Sequence, residues 1–317
     1  MDSTQLWTLT DGNAGNRRQA EALATALELG PVTDWQLQPH LPWRIAAPRR
    51  FPGASHAFGA DFARALQHPP ALVIGCGRQA ALATRLLRER GSKAVQILDP
   101  RLETTHWDLV IAPEHDRLQG DNVITVQGSL NPVDDAWLAS ARDAFARFAD
   151  LPQPRTALLL GGSSAHARFG RDEFEALATV LDAALAREDG SLLATTSRRT
   201  SPDVVDALHR RYQSTAGIIW SSDTDGANPY AGVLGWADRI VCSPDSVNMV
   251  SEACATRAPV FVFDPNHVSG RPRRFLDALL AQGRIRSMDT QLASFVAEPL
   301  RETARVAALL KERLSFL

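Results

Sequence analysis

The stretch Arg239-Ile240-Val241-Cys242-Ser243-Pro244-Asp245-Ser246-Val247-Asn248-Met249-Val250-Ser251-Glu252-Ala253 holds an apolar run, a polar turn and a helical pattern in direct succession. This order is typical of a parallel strand that leads through a turn into a helix in an α/β fold. The first helical turn leaves about four backbone N–H groups unpartnered, and the helix dipole adds roughly half a positive charge there. The stretch therefore predicts an anion site, most naturally for phosphate, around Asp245 and Ser246.

Glu252 lies one to two turns further along the same predicted helix, where a carboxylate would accept hydrogen bonds from ribose hydroxyls. A purely structural interpretation fits the turn equally well, because Asp and Ser are among the preferred residues at a helix N-cap. Under that interpretation, Asp245 or Ser246 only caps the helix. The local sequence leaves both interpretations open.

Short apolar runs alternate with longer helical patterns along the whole chain, which predicts parallel sheets flanked by helices. The predicted strands are residues 6–10, 32–37, 71–74, 94–98, 109–112, 123–126, 156–160, 192–195, 217–220, 239–242 and 259–263. The predicted helices include residues 16–29, 79–90, 134–150, 173–187, 273–282 and 302–316, and Ser201-Pro202-Asp203 indicates a further helix start.

The domain organisation follows from length and from one proline-rich linker. A chain of 317 residues suits two domains of about 150 residues each. Leu151-Pro152-Gln153-Pro154-Arg155 cannot continue a helix, so the boundary is predicted there. The expected fold class is α/β, with two Rossmann-like domains (1–150 and 151–317) that face a cleft. The last helix is a candidate to pack back on the first domain.

Composition narrows the partners and the location. Lys plus Arg number 34 and Asp plus Glu number 36, so a net charge of −2 offers no general attraction to nucleic acid. The polar start, the lack of an apolar run of about 20 residues and three scattered cysteines predict a soluble, cytoplasmic protein. Peripheral contact with the inner membrane stays open. Pro42-Trp43-Arg44 and Arg49-Arg50-Phe51 are either a membrane or acceptor patch or ordinary loop packing.

The first predicted strand ends in Thr10-Asp11-Gly12-Asn13-Ala14-Gly15-Asn16. Its glycine spacing matches neither a dinucleotide fingerprint nor a P-loop, and a tight turn explains both glycines. A turn does not require an acid at the strand end, so Asp11 is a candidate general base for a substrate hydroxyl. Two further strand ends carry weaker signals. Gly75-Cys76-Gly77-Arg78 is an incomplete glycine motif, and Glu114-His115-Asp116 is either a poised base or a solvated loop.

Two loops in the second half strengthen the predicted phosphate site. Gly161, Gly162 and Ser163 follow one strand, and the glycines would let the main chain approach a ligand. Thr196-Ser197-Arg198-Arg199 follows the next strand, and guanidinium groups bind phosphate oxygens in a bidentate manner. A solvated polar loop is the alternative. Convergence of both loops with the turn at Ser246 favours phosphate binding.

Several of these segments together resemble one family. They are Thr10 to Asn16, Leu160-Gly161-Gly162-Ser163, Thr195 to Thr200, Asn228-Pro229-Tyr230 and Ser243 to Ala253. Over nearly its whole length the chain resembles the bacterial relatives of the plant mitochondrial-fission factor named for elongated mitochondria. That family is similar in layout to GT-B glycosyltransferases, whose C-terminal domain holds a nucleotide-sugar donor and whose N-terminal domain holds the acceptor. The resemblance implies that Ser246 and its neighbours contact donor phosphates and that Glu252 contacts the ribose.

The leading hypothesis is a metal-independent glycosyltransferase that moves a sugar from a nucleotide-sugar donor to an envelope glycan or lipid acceptor. The nucleotide sugar is then the substrate, and no separate cofactor is expected. Arg198 or Arg199 and the helix at Ser246 would stabilise charge on the leaving diphosphate, while Asp11 deprotonates the acceptor hydroxyl.

Two alternatives accompany this hypothesis. The plant member is described as an adaptor that recruits a dynamin-like GTPase, so the resemblance also allows a non-catalytic scaffold that binds a protein partner. An NAD-dependent epimerase or dehydrogenase would need a Tyr-x-x-x-Lys pair. Tyr212 and Tyr230 both lack a lysine four residues later, which disfavours that third possibility.

Overall fold

The computed structural model describes residues 5–314, and it contains two six-stranded parallel sheets. The strands of the first sheet are β1 (Leu6–Thr10), β2 (Val32–Gln36), β3 (Leu72–Cys76), β4 (Lys93–Ile97), β5 (Leu109–Pro113) and β6 (Val123–Val126). Those of the second are β7 (Arg155–Leu160), β8 (Ser191–Thr196), β9 (Gly217–Trp220), β10 (Arg239–Cys242), β11 (Val260–Val262) and β12 (Ile285–Ser287). The expected α/β class with two Rossmann-like sheets is confirmed.

Helices connect the strands and cover the faces of the sheets. In the first half and at the chain end these are α1 (Ala14–Leu27), α2 (Trp43–Ala46), α3 (Ala60–Ala65), α4 (Arg78–Arg88) and α11 (Thr303–Leu314). Around the second sheet they are α5 (Asp135–Ala144), α6 (Arg171–Leu185), α7 (Pro202–Tyr212), α8 (Tyr230–Trp236), α9 (Val247–Cys254) and α10 (Gly270–Ala281). No helix within residues 5–314 is long and apolar enough to cross a bilayer.

The strand orders locate the ligand-binding edges. The first sheet runs β2-β1-β3-β4-β5-β6, and the second runs β12-β11-β10-β7-β8-β9. If β7 to β12 are renumbered 1 to 6 and the second sheet is read from β9, its order is 3-2-1-4-5-6. This is the strand order of dinucleotide-binding Rossmann folds. The chain reverses its direction of sheet growth between β1 and β3 and again between β7 and β10. In open parallel sheets, ligands bind outside the carboxyl ends of the strands at such a switch point.

The central strands of each sheet are buried on both faces, as their apolar sequences require, whereas the edge strand β2 is largely exposed. In the first unit, Leu23 on α1 and Leu310 on α11 pack together under the sheet. In the second, Leu159 on β7 packs with Val250 on α9. Residues 5–132 together with residues 301–314 form one compact unit, and Val133–Leu300 form the other.

The sequence placed the boundary at the prolines 152 and 154, whereas the chain passes from one unit to the other at Pro132 and Val133. The reason is that α5 belongs to the second unit, where Leu138 joins the core of the second sheet. α11 belongs to the first unit, where Leu310 joins the core of the first sheet.

Several elements differ from the sequence-based predictions. The helix predicted over 134–150 ends at Ala144, because Phe145 leaves helical geometry and packs its ring against Gly232. β12, α2, α3 and α8 were not predicted; each is short, with too few residues to show a period. The end of the helix predicted over 302–316 lies partly outside the described residues.

Candidate functional site at the carboxyl edge of the second sheet

Three loops meet where the second sheet reverses its order. They follow the adjacent strands β7, β8 and β10, and they are joined directly by hydrogen bonds. The Gly161 N–H donates to Ser243 Oγ (2.7 Å), which links the loops after β7 and β10. Thr200 Oγ1 donates to the Gly161 carbonyl oxygen, which links the loops after β8 and β7. The convergence expected from the sequence is therefore present.

Asp245 is the centre of this junction. Its Oδ2 accepts hydrogen bonds from the Gly162 N–H (3.0 Å) and from Arg199 Nη2 (2.8 Å). Its Oδ1 accepts one from Ser243 Oγ (2.7 Å). The Asp245 side chain is 0% exposed and that of Arg199 is 47% exposed. A carboxylate of the protein thus uses two of the donors that the sequence assigned to a phosphate.

The two glycines are explained by this junction. A Cβ added at Gly161 would overlap the Asp245 carboxylate, and one added at Gly162 would overlap the carbonyl oxygen of Arg199. The loop after β8 and the Asp245 turn therefore occupy the space that glycine leaves open. The sequence had assigned this close approach to a ligand.

α9 begins at the junction and is fixed at both ends. Ser246 is its N-cap, and Ser246 Oγ accepts from the Met249 N–H (3.3 Å), so Ser246 and not Asp245 caps the helix. At the other end, the buried Arg284 donates to the Cys254 carbonyl oxygen (2.8 Å), and burial lowers the pKa of Arg284. The Val247 and Asn248 amides, in the first turn of α9, have no intrahelical acceptor.

Glu252 is on the inner side of α9. The residue is 2% exposed, and the hydroxyl of Tyr230 donates to its Oε2. Tyr230 begins α8, an element that the sequence did not predict, although the motif Asn228-Pro229-Tyr230 was noted. Glu252 is therefore covered from solvent, and the half-buried Tyr230 is its hydrogen-bonded neighbour.

The remaining predicted residues differ in what they contact. Ser163 Oγ accepts from the Phe169 N–H (3.0 Å) and closes the loop after β7. Thr196 is buried, and its Oγ1 donates to the Ser221 carbonyl oxygen (3.3 Å). Ser197 Oγ accepts from the Arg199 N–H (3.2 Å). These three side chains therefore shape the loops.

Arg198 and Arg199, adjacent in sequence, have different surroundings. Arg199 is tied to Asp245 and donates a second bond from Nη1 to the Gly162 carbonyl oxygen (3.0 Å). Arg198 is exposed, and its guanidinium makes no hydrogen bond or ion pair within residues 5–314. Arg199 is thus a structural cation with a half-exposed face, and Arg198 is the uncommitted one. The sequence could not distinguish them, because the loop direction decides which arginine reaches the neighbouring strand end.

The first unit has its own polar edge at the β1–β3 switch point. Asp11 accepts from the Asn13 N–H (3.0 Å), from Asn13 Nδ2 (2.7 Å) and from Asn16 Nδ2 (3.0 Å). Asn16 also packs against Gly77, where an added Cβ would lie 2.7 Å from its Nδ2. Asp11 is half-buried, and its hydrogen-bond donors among residues 5–314 are neutral amides. It keeps the accessibility that a candidate base needs.

The weaker signals of the first half have mostly structural explanations. Arg78 donates from Nη1 to the Ile45 carbonyl oxygen (2.8 Å), which fixes a surface segment. Asp99, which follows β4, accepts from the Arg101 N–H (2.7 Å) and so closes a turn. His115 Nε2 lies 3.8 Å from Asp116 Oδ1, and both side chains are largely buried, which is not the geometry of a solvated loop.

Two parallel Rossmann-like sheets with these strand orders define a GT-B-like protein. Solved structures with this fold include the UDP-GlcNAc 2-epimerase from Neisseria meningitidis bound to UDP-GlcNAc, with a TM-score of 0.53, 11% identity, and coverage of 98% of this chain and 99% of that one. The calicheamicin glycosyltransferase CalG4 matches with a TM-score of 0.51 and 12% identity over 100% of both chains. At these identities the likeness concerns the fold alone.

The sequence relationship is closer and more specific. The family model described as Mitochondrial fission ELM1 matches residues 14–314, and this chain belongs to that family. The Mitochondrial fission protein ELM1 of Arabidopsis thaliana is 30% identical over 277 residues, or 78% of this chain, and the match spans 64% of that relative's length. The Uncharacterized protein RP120 of Rickettsia prowazekii (strain Madrid E) is 26% identical across 96% of this chain and 97% of its own.

Proposed function

We propose that this protein binds a nucleotide sugar at the carboxyl edge of the second sheet and transfers the sugar to an envelope glycan or lipid acceptor. The nucleotide sugar is the substrate and no resident cofactor takes part. Such an acceptor would bring the protein to the surface of the inner membrane. The observation that carries the proposal is the joining of three loops around the start of α9 at the switch point of a Rossmann-order sheet.

The electrostatics of this edge define where a diphosphate would sit. The buried Asp245 neutralises Arg199, so this pair offers no net charge to a ligand. Positive potential comes instead from Arg198 and from the first-turn amides of α9. We therefore place the diphosphate on the solvent side of the Asp245–Arg199 pair, where the exposed face of Arg199 supplies further N–H donors.

The proposed reaction is a substitution at the anomeric carbon of the donor sugar. The bond from this carbon to the diphosphate oxygen breaks, and the nucleoside diphosphate leaves with the electron pair. A new bond forms to the acceptor hydroxyl oxygen, whose proton passes to a general base, for which Asp11 is our candidate. Arg198 and the α9 amides stabilise the charge that grows on the leaving diphosphate.

Donor binding is tested by thermal denaturation with a panel of UDP-, GDP-, ADP- and CDP-sugars. A ligand present at about one hundred times its dissociation constant adds roughly 2.7 kcal/mol of stability, which corresponds to a rise of several degrees in Tm. Product analysis by mass spectrometry, with and without EDTA, separates transfer to an acceptor from epimerisation of the free donor and from simple binding. No shift in Tm with any nucleotide would refute donor binding.

A second function, a non-catalytic adaptor, is favoured by one specific observation. Asp245 occupies the Gly162 N–H and Arg199, so the anion position nearest the sheet is filled by the protein itself. A scaffold with a permanently closed site would look the same. The Arabidopsis relative is named a mitochondrial fission protein, which is consistent with a role in recruiting a partner.

Glu252→Gln discriminates between the two functions. This change keeps the size of the buried side chain and its contact with Tyr230, while it removes the charge proposed to hold the ribose. A transferase should lose donor affinity and turnover. An adaptor should keep partner binding in full, provided that circular dichroism confirms the native fold.

A further inference from the structure

Three large apolar side chains are exposed to solvent along one short segment of the first unit. Leu41 is 66% exposed, Ile45 73% and Phe51 44%. We call residues 41–51 the interfacial segment. Elsewhere in the described residues, the exposed large apolar side chains are Val32 and Val296, which are isolated in sequence. A cluster of this kind marks an interaction surface, whereas single exposed aliphatic residues are ordinary.

Part of the interfacial segment is helical. The Arg44 N–H donates to the His40 carbonyl oxygen (2.9 Å), and the Ala47 N–H donates to that of Trp43 (2.9 Å), so helical turns run through α2. Ile45 lies within α2, and Leu41 directly precedes Pro42, the N-cap of that helix.

The backbone of the segment is anchored from beneath. Arg78 Nη1 donates to the Ile45 carbonyl oxygen (2.8 Å), and Arg85 Nη1 donates to that of Pro48 (2.9 Å). Both arginines belong to α4, a helix packed on the first sheet, and Ala47 is buried. The apolar side chains are thus held in solvent by a fixed backbone.

Uncommitted cations surround these side chains. Arg44, Arg49 and Arg90 are exposed, and none forms an ion pair within residues 5–314. Glu89, the acid in this region, is occupied by Arg50 (2.6 Å). Because the whole chain carries a net charge of −2, this positive charge is a local property and not a consequence of composition.

A cavity of about 440 Å³ opens beside the segment. Phe51, Leu66 and Leu86 supply apolar lining, Arg50 and Glu89 supply an ion pair, and Arg90 supplies a further cation. Apolar side chains next to the cation of Arg90 are complementary to an amphiphile that joins hydrocarbon to phosphate.

We infer that the interfacial segment docks this protein onto an anionic phospholipid bilayer. Leu41 and Ile45 enter the headgroup region, while Arg44 and Arg49 contact lipid phosphates. Apolar side chains flanked by basic residues bind such interfaces through combined hydrophobic and electrostatic attraction. Docking would bring the protein to a lipid or glycan acceptor at the membrane, and in this respect it rests on the proposed transfer function. Docking is measured without any nucleotide, so its failure and that of donor binding are separate results.

The test is sedimentation of the full chain with vesicles of phosphatidylglycerol and phosphatidylcholine. We expect binding to vesicles rich in phosphatidylglycerol, weak binding to pure phosphatidylcholine, and release at high salt, because screening shortens the reach of the arginines. Ile45→Asp should lower the partition coefficient about tenfold. Arg49→Glu should lower it about fivefold or more, as each basic residue near a charged surface contributes about a factor of five.

Matched controls lie in the second unit. Val296→Asp likewise replaces an exposed aliphatic side chain by a carboxylate, at an isolated residue that is 95% exposed. Arg210→Glu reverses the charge of an exposed arginine on α7. Both controls should bind vesicles like the parent protein. Absence of binding to anionic vesicles, or undiminished binding by both Ile45→Asp and Arg49→Glu, overturns the inference. Undiminished vesicle binding by these variants, with lost capture of a protein, would assign the segment to a protein partner instead.

Discussion

A carboxylate is held by hydrogen bonds at the carboxyl edge of each sheet, but the two carboxylates are held in different ways. In the first unit, Asp11 is bound by Asn13 and Asn16, two and five residues away along the chain. In the second, Asp245 is bound by Arg199 and Gly162, 46 and 83 residues away. The first arrangement is local to one turn, and the second needs three strands to be in register.

The two edges therefore differ in whether their hydrogen bonds join neighbouring residues or join separate strands. A turn built from neighbouring residues can form before the sheet does and can deform without disturbing it. A junction between strand ends forms only in the assembled sheet, and damage there spreads to the strands that it joins. We therefore expect the second edge to matter more for stability and the first to be more accessible to substrate.

Glycine substitutions should separate the two edges most strongly. Gly162→Ala forces a Cβ into the backbone carbonyl of Arg199 and should cost about 3 kcal/mol of unfolding free energy. Gly12→Ala, its counterpart on the first edge, meets only the flexible end of Gln36, and its positive φ should cost about 1 kcal/mol. Urea denaturation followed by circular dichroism measures both. Equal losses would mean that the junction is no more rigid than the Asp11 turn.

Removing the charge of each carboxylate gives the next largest contrast. Asp245→Asn weakens charge-assisted hydrogen bonds in a buried site and should lower the free energy of unfolding by about 2 kcal/mol. The loss is limited because water can solvate the half-exposed guanidinium of Arg199. Asp11→Asn changes bonds in a hydrated turn and should cost under about 1 kcal/mol. Thermal denaturation of the two variants side by side provides the measurement. A larger loss for Asp11→Asn would reverse the ranking of the two edges.

The third contrast concerns ligand affinity. Arg198→Ala should weaken nucleotide-sugar binding about tenfold, roughly the contribution of one charge-assisted contact, without changing stability. Arg210→Ala, an exposed arginine of the same unit, is the control for surface charge. Asp11→Asn should leave donor affinity unchanged while it reduces turnover. Isothermal titration calorimetry decides, and full affinity in Arg198→Ala would remove this residue from the site.

The fold was largely predictable because its signals are local. Buried parallel strands such as 6–10 and 239–242 read as apolar runs between turns, and the structure places β1 and β10 at those residues. The candidate site was predictable as a set of loops, because strand ends of one parallel sheet share an edge. What each side chain contacts was not, since strand order is a tertiary property. The pairing of Arg199 with Asp245 and of Tyr230 with Glu252 depends on which strands are neighbours.

The smallest expected effect is a difference in thiol-labelling rate between two cysteines, each at the end of a strand beside a switch point. Cys76 ends β3 and Cys242 ends β10, so each reports on one switch point. Burial raises the pKa of both thiols well above the ordinary value, which lowers the reactive thiolate fraction at pH 8. Labelling with a thiol reagent therefore depends on local opening of the edge. Only in the second edge must the opening break bonds among three loops.

In single-cysteine variants, C242A/C254A and C76A/C254A, Cys76 should react roughly fivefold faster than Cys242. Faster labelling of Cys242 would show that the junction opens more readily than the Asp11 turn, against the comparison drawn from the hydrogen bonds.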